Sequence, residues 1–348
     1  MPGNSIGKSL VLTTFGESHG PAVGGILDGF PAGIPINPIF IQSELNRRRT
    51  GQDFHSSSRQ EDDRVEFLSG IFDDTSTGAP IAFLVHNEDH RPEDYDELRD
   101  ILRPSHADYT YRLKYGVRDH RGGGRASARE TVARVVGGAI AKILLKRHGI
   151  EIHGFISEIG GISVPIPESH IANPGVKLPQ EIIQLLDKLR NDGDTAGGII
   201  TCFMNNVPGG LGEPVFDKLQ ADLAKAMLSI NGVKGFDYGS GFAGASMTGS
   251  AHNDRFITKN GRISTLTNFS GGIQGGISNG EEICFRVAFK PVSSIMKEQE
   301  TLNLRGETVT FKGKGRHDTC ILPRAIPIVE AMAALTLADH MIRAGRNS

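Results

Sequence analysis

Between Gly122 and Gly149 the chain prescribes an abrupt passage from turn to helix. Gly122, Gly123 and Gly124 open backbone conformations closed to other residues, and Ser127 with Glu130 three positions on makes an S-x-x-E capping box. Val132, Val135, Val136, Ala139, Ile140, Ile143 and Leu144 then recur at helical spacing. Lys142, Lys146, Arg147 and His148 crowd the far end before Gly149, which suits the negative end of a helix dipole and a glycine stop. An amphipathic helix is therefore expected at about 127–148.

The ground in front of that helix is strongly basic. From Arg103 to Thr131 seven Arg or Lys face three acids, in a chain whose formal net charge is −2. A glycine hinge flanked by Arg121 and Arg125 and followed by a helix N-terminus is suited to a phosphate or a carboxylate. A basic stretch is ordinarily a solvated loop. Arginine, glycine and histidine gathered in one block shift the balance towards a binding site.

A chain of 348 residues leaves open two domains or one large layered domain. With 38% hydrophobic and 22% charged residues it reads as a globular protein, and 44 glycines without a G-X-Y period imply many turns and close backbone approaches to ligands. The near-neutral balance argues against a broad nucleic-acid surface. Cys202, Cys284 and Cys320 are odd in number, widely spaced and without a C-x-x-C, which argues against a disulfide framework or a metal centre. No basic segment leads into a long apolar run, and no stretch approaches bilayer-spanning length, so a cytoplasmic protein without a membrane partner is expected.

Several short motifs fail on context. Gly16-Glu17-Ser18-His19-Gly20 matches the G-x-S-x-G nucleophile elbow, but Pro21, Gly24 and Gly25 follow where a helix is needed. What survives is a glycine-flanked loop presenting Ser18 and His19. Gly7-Lys8-Ser9 lacks the Walker glycine, since Pro2 stands there, and Gly239 to Gly244 spells G-x-G-x-x-G with no helical face after it. Helices are expected from Pro38 to Arg49, Leu178 to Arg190, across about 214–229 with Val215 and Leu228 facing a core, and from Pro327 to Ile342. Strands are expected at Leu10–Phe15, Phe67–Ile71, Pro80–Val85, Gly197–Val207 and Glu282–Phe289, a strand or hairpin at Ile150–Val164, and Gly271 to Gly280 reads as a flexible loop. The two halves rhyme as strand, glycine turn and long helix.

Three long signatures, in order, resemble those of the chorismate synthase family. They are Gly16 to Gly20, the block RPSHADYTYRLKYGVRDHRGGGR from Arg103, and Gly315-Arg316-His317-Asp318 leading into Pro323-Arg324-Ala325. The resemblance runs from Gly7 into the last helix. It implies conversion of 5-enolpyruvylshikimate 3-phosphate to chorismate and phosphate, the last step of the shikimate pathway, by a 1,4-anti elimination that needs reduced FMN without net redox change. It also implies an α+β fold, a layered sandwich with antiparallel sheets flanking a central layer of long helices, one domain over residues 1–348, and a homotetramer.

Carried over by motif, the resemblance makes His19 the acid for the departing phosphate and His106 the acid beside the flavin. Asp318 assists at flavin N5, with Ser18 and Ser127 as relays. Arg48, Arg129, Arg134 and Arg324 are the candidates for substrate anions. Arg125, Ala126, Ser127, Asn231, Gly232, Gly275, Lys290, Pro291, Val292, Ser293, Ser294 and Arg316 are the candidates for FMN. NADPH enters as an electron source, against which Phe54 counts, since family members often carry an arginine there. Ala126 stands where a serine is common, so a contact there falls to its backbone. Thr319 replaces a frequent proline and is expected to loosen the Asp318 turn. The competing classes are a serine hydrolase built on Ser18 and an RNA-binding module built on the basic block.

Overall fold

Asn37 opens the first helix by chemistry legible in the chain. Its side chain accepts from Phe40 N at 3.0 Å, and Pro38 fills a position whose N–H would have no helical partner. The computed structural model describes residues 3–49, 62–88, 98–170, 178–313 and 318–346. Within them the helices are α1 (Pro38–Arg48), α2 (Asp108–Tyr115), α3 (Thr131–Arg147), α4 (Gln180–Asn191), α5 (Leu219–Leu228), α6 (Gly249–His252) and α7 (Leu322–Arg343).

Two five-stranded sheets are antiparallel throughout. The first runs Ser5–Ile6, Val11–Gly16, Ala22–Asp28, Ile81–His86, Val65–Phe67 in spatial order. The second runs Val233–Tyr238, Ile283–Phe289, Gly198–Asn205, Glu151–Ile159, Ile162–Ser163. Ile283–Phe289 buries every other residue, as a strand with one face on a core must.

Helix α3 packs on the first sheet, α7 on the second, and the two helices on each other. Gly138 permits that last contact, because a methyl group there would collide with Ala331. Leu12, Val136, Ile140, Phe285, Val329 and Leu337 belong to one contiguous apolar core. Through it passes an ionic tie. Glu330 of α7, 1% exposed, meets Lys142 of α3 at 2.7 Å and Arg47 of α1 at 2.6 Å, and also accepts from Gly154 N at 2.9 Å. Burial alone would raise the Glu330 carboxyl, but Lys142 and Arg47 outweigh it and pull it down to about 2.

Several expectations need correction. The capping box is only half made: Ser127 Oγ accepts from Arg129 N at 3.3 Å and opens a 3-10 turn, while Glu130 turns to Arg134, an ion pair being the stronger draw. Helix α7 starts at Leu322, five residues before Pro327. Pro323 takes the first-turn position that tolerates proline, and Pro327 lies inside the helix, where buried neighbours on every side hold it. Helix α5 starts at Leu219, so Val215 lies outside it, and Val215 and Leu228 are exposed. The stretch Gly271 to Gly280 forms a small hairpin instead of an irregular loop. Finally, α7 is long and apolar enough to cross a bilayer, contrary to expectation. It is a core helix, nearly all of it buried against the second sheet and the helices α1, α3 and α5.

Candidate active site

Ser18 and His19 sit on the turn between strands Val11–Gly16 and Ala22–Asp28, both buried, with Ser18 Oγ 3.0 Å from His19 Nδ1. Asn87, just past the neighbouring strand, holds this turn. Its side-chain amide donates to Glu17 O at 2.9 Å and to Gly20 O at 2.7 Å, and its backbone N–H donates to Pro21 O at 3.0 Å. Asn87 Oδ1 in turn accepts from Arg129 Nε at 2.8 Å.

Arg129 carries the run of contacts onward. It donates to His86 O at 3.0 Å and pairs with one oxygen of Asp63, whose other oxygen accepts from Arg48 Nη2 at 2.7 Å. The Arg48 carbonyl accepts from Arg324 Nε at 3.0 Å, and Arg324 pairs with Asp318. Three arginines thus link Asp318 to the His19 turn without a break. Asp63, 3% exposed, sits in left-handed backbone at φ 44°. Burial would raise its carboxyl, but Arg48 and Arg129 outweigh burial and hold it below the usual carboxylate range.

A second group forms around His106. Its Nε2 lies 3.1 Å from Ser294 Oγ and its Nδ1 3.0 Å from Pro104 O. Lys290 Nζ meets Ser293 Oγ and reaches Ser105 O at 3.3 Å, Ser105 being another left-handed residue at φ 58°. Lys290 N donates to Gly232 O at 2.9 Å, and Asn231 Nδ2 donates to Ala126 O at 3.0 Å. Burial depresses the His106 pKa, and the Arg103 cation nearby depresses it further. Burial likewise lowers the Lys290 ammonium, with Lys234 adding to it.

The groups meet on two sides. The glycine hinge lies against both: a methyl group on Gly122 would overlap the His19 ring, one on Gly124 would meet the Glu17 carboxylate, and one on Gly123 would come within 3.7 Å of Arg103 Nη2. Across the site, Ala196 N donates to Thr319 O at 2.9 Å and Thr195 Oγ1 donates to Val292 O at 2.8 Å. Neighbouring residues of one short stretch therefore carry the Asp318 turn and the Lys290–Ser294 turn.

Other expected residues are placed elsewhere. Arg134 is held by Glu130 and by Ser229 Oγ at 2.7 Å, outside the Asp63 network. Arg125 donates to Gly16 O at 3.1 Å and Thr14 Oγ1 at 2.7 Å, buttressing the strand that leads into the His19 turn. Gly275 occupies the turn of the small hairpin. Arg316 and Phe54 lie outside the described residues. The chain reading missed Asp63 and Asn87. Asp63 sits in the acidic run Glu61-Asp62-Asp63, which the preceding Arg47-Arg48-Arg49 could have flagged, whereas Asn87 carries no local signal.

The family model for chorismate synthase matches residues 10–342. The chain belongs to the chorismate synthase family. It is 53% identical to a chorismate synthase of Phocaeicola vulgatus, over 97% of this chain and 98% of that one. Identity is 54% to a chorismate synthase of Bacteroides thetaiotaomicron, at the same coverage. A solved chorismate synthase crystal structure superposes with a TM-score of 0.76 at 31% identity, covering 97% of this chain and 93% of the other. Two departures from the usual chorismate synthase pattern acquire a physical form. At Ala126 the backbone carbonyl accepts from Asn231 Nδ2. Thr319 does not loosen the Asp318 turn, because it is 5% exposed and its carbonyl is tied to Ala196 N.

Proposed function

We propose that this enzyme converts 5-enolpyruvylshikimate 3-phosphate to chorismate and phosphate, a carbon–oxygen lyase reaction that is the last step of the shikimate pathway. The observation that carries the reading is the unbroken run from Asp318 through Arg324, Arg48, Asp63, Arg129 and Asn87 to the turn bearing His19. A substrate with one phosphate and two carboxylates needs several oriented cations. Arg48 and Arg129 are gripped by Asp63 and Arg324 by Asp318, so little side-chain freedom is lost on binding. His19, its Nδ1 directed to Ser18 Oγ, delivers a proton to the departing phosphate.

Reduced FMN fits the second group. Lys290 has no carboxylate partner among the described residues, and with the Ser293 and Ser294 hydroxyls it makes a donor set for an anionic, hydrogen-bonding cofactor. Ser127, Ala126, Asn231, Gly232 and the Lys290–Ser294 turn would hold it, with Arg125, Gly275 and Arg316 as further candidates. When bound, it supplies electron density as phosphate leaves, in a 1,4-anti elimination without net redox change. His106, fixed between Pro104 O and Ser294 Oγ, holds a proton at the rim of that seat, and Asp318 accepts one across the site. NADPH as the electron source rests on the family resemblance alone.

The same reading takes the chain as one cytoplasmic domain, a sandwich with α3 and α7 between the sheets, assembling as a homotetramer. The single contiguous core supports the one-domain reading. His19→Ala and His106→Ala should each cut phosphate release at least about tenfold with the fold intact, given what a general acid is worth. Full activity in either variant removes that residue from the mechanism. Loss of a flavin-independent esterase in Ser18→Ala would instead favour the hydrolase reading.

A further inference from the structure

We infer that Asn87 is a positioning residue, one side chain that keeps the proton-donating His19 in register with the anion-binding Arg129. The inference rests on the proposed role of His19. Asn87 is 6% exposed and uses both halves of its amide. The oxygen accepts from Arg129 Nε at 2.8 Å, and the nitrogen donates to the carbonyls of Glu17 at 2.9 Å and Gly20 at 2.7 Å, which bracket Ser18 and His19. An N–H group facing two carbonyls and an oxygen facing a guanidinium admit one amide orientation, so the assignment follows from the partners.

No other residue type of this size meets both demands. Aspartate would keep the acceptor for Arg129 but turn a lone-pair-bearing oxygen on two carbonyl oxygens. Leucine would fill the volume and satisfy neither side. The tie also joins elements far apart in the chain: the His19 turn, the end of strand Ile81–His86 and the 3-10 turn Ala128–Glu130 before α3. Misplacement of an acid by a fraction of an ångström is felt in the chemical step and much less in binding. Asn87 therefore governs turnover, whereas Asp63, which touches the two arginines, governs how tightly substrate anions are held.

The test compares the full chain with Asn87→Asp. Affinity for enolpyruvylshikimate phosphate, measured by calorimetry, should stay within about threefold, while turnover with reduced FMN falls at least about tenfold. The His19 imidazole NMR signals, assigned by their loss in His19→Ala, should move. Unchanged turnover with unmoved His19 signals overturns the inference, and so does a parallel fall in affinity and turnover with those signals in place. If Asn87→Asp loses cooperative melting, Asn87→Ser removes the bonds to the Glu17 and Gly20 carbonyls, and the Arg129 bond with them, without adding charge and is read by the same three measurements. The NMR readout needs no catalysis. A parent chain that released no phosphate would defeat the proposed function, yet displaced His19 signals in Asn87→Asp would still support the tie.

Discussion

Gly122 passes so close to His19 that a methyl group on its α-carbon would overlap the imidazole ring. Its φ of +68° lies in the region that favours glycine, so two independent constraints fix this position. Gly122→Ala should add roughly 1–2 kcal/mol of backbone strain and push the His19 ring aside. Phosphate release should fall at least about tenfold, by the usual worth of a general acid, while a cooperative melt survives at lower temperature. Turnover equal to that of the parent would show that the ring accommodates the methyl and that its placement is not critical.

Arg48 contributes a second, separable prediction. Its side chain is 5% exposed and paired with Asp63, so Arg48→Ala leaves that carboxylate short of a partner and removes a cation from the proposed substrate seat. Substrate binding should weaken by roughly 2–5 kcal/mol, the cost typical of truncating a buried charge partner. Calorimetric titration measures it directly. An unchanged dissociation constant would reduce Arg48 to a helix-end charge.

Glu330 tests the fold independently of the site. Glu330→Gln leaves the cations Lys142 and Arg47 to share the single carboxylate of Glu44, and should cost about 3–5 kcal/mol in denaturant unfolding. The folded Glu330 carboxyl titrates near 2, below its ordinary value. Its stabilisation is therefore complete above the unfolded pKa and fades as pH falls towards the folded one, a fading the variant should lack.

His106 titrates in a different window. Burial and Arg103 keep its folded pKa below the ordinary 6.5, so unfolding takes up a proton between the two values. Stability is full above the unfolded value and declines as pH drops through it towards the folded one. His153 shifts in the same direction by burial, so the decline is shared. His106→Gln should flatten the slope of unfolding free energy against pH just below neutrality. An identical slope would mean that the ring protonates as readily folded as unfolded.

Periodicity located most of the architecture, because Val132 to Leu144 and the alternating Ile283–Phe289 each repeat with the period of the face they bury. Boundaries were less legible where two local rules compete. Pro327 reads as a helix start only if the burial of Leu322 to Ile326 is unknown, and Ser127 with Glu130 reads as a reciprocal cap only until Arg134 competes for the acid. The signatures marked His19, His106 and Asp318, but the residues that hold them together were hidden. Asp63 and Asn87 act on partners such as Arg129, 66 and 42 positions away along the chain, and no local spacing encodes such a pairing.

On the proposed function, the arginine run and the Lys290 group serve one reaction, in which a reduced flavin seated on one would assist loss of phosphate from a substrate held by the other. The most direct measurement is phosphate release from 5-enolpyruvylshikimate 3-phosphate under strict anaerobiosis, with reduced FMN, with oxidised FMN and with none. Release with chorismate formation in the reduced sample alone is the result expected. Equal release in all three samples, or none in any, would contradict it.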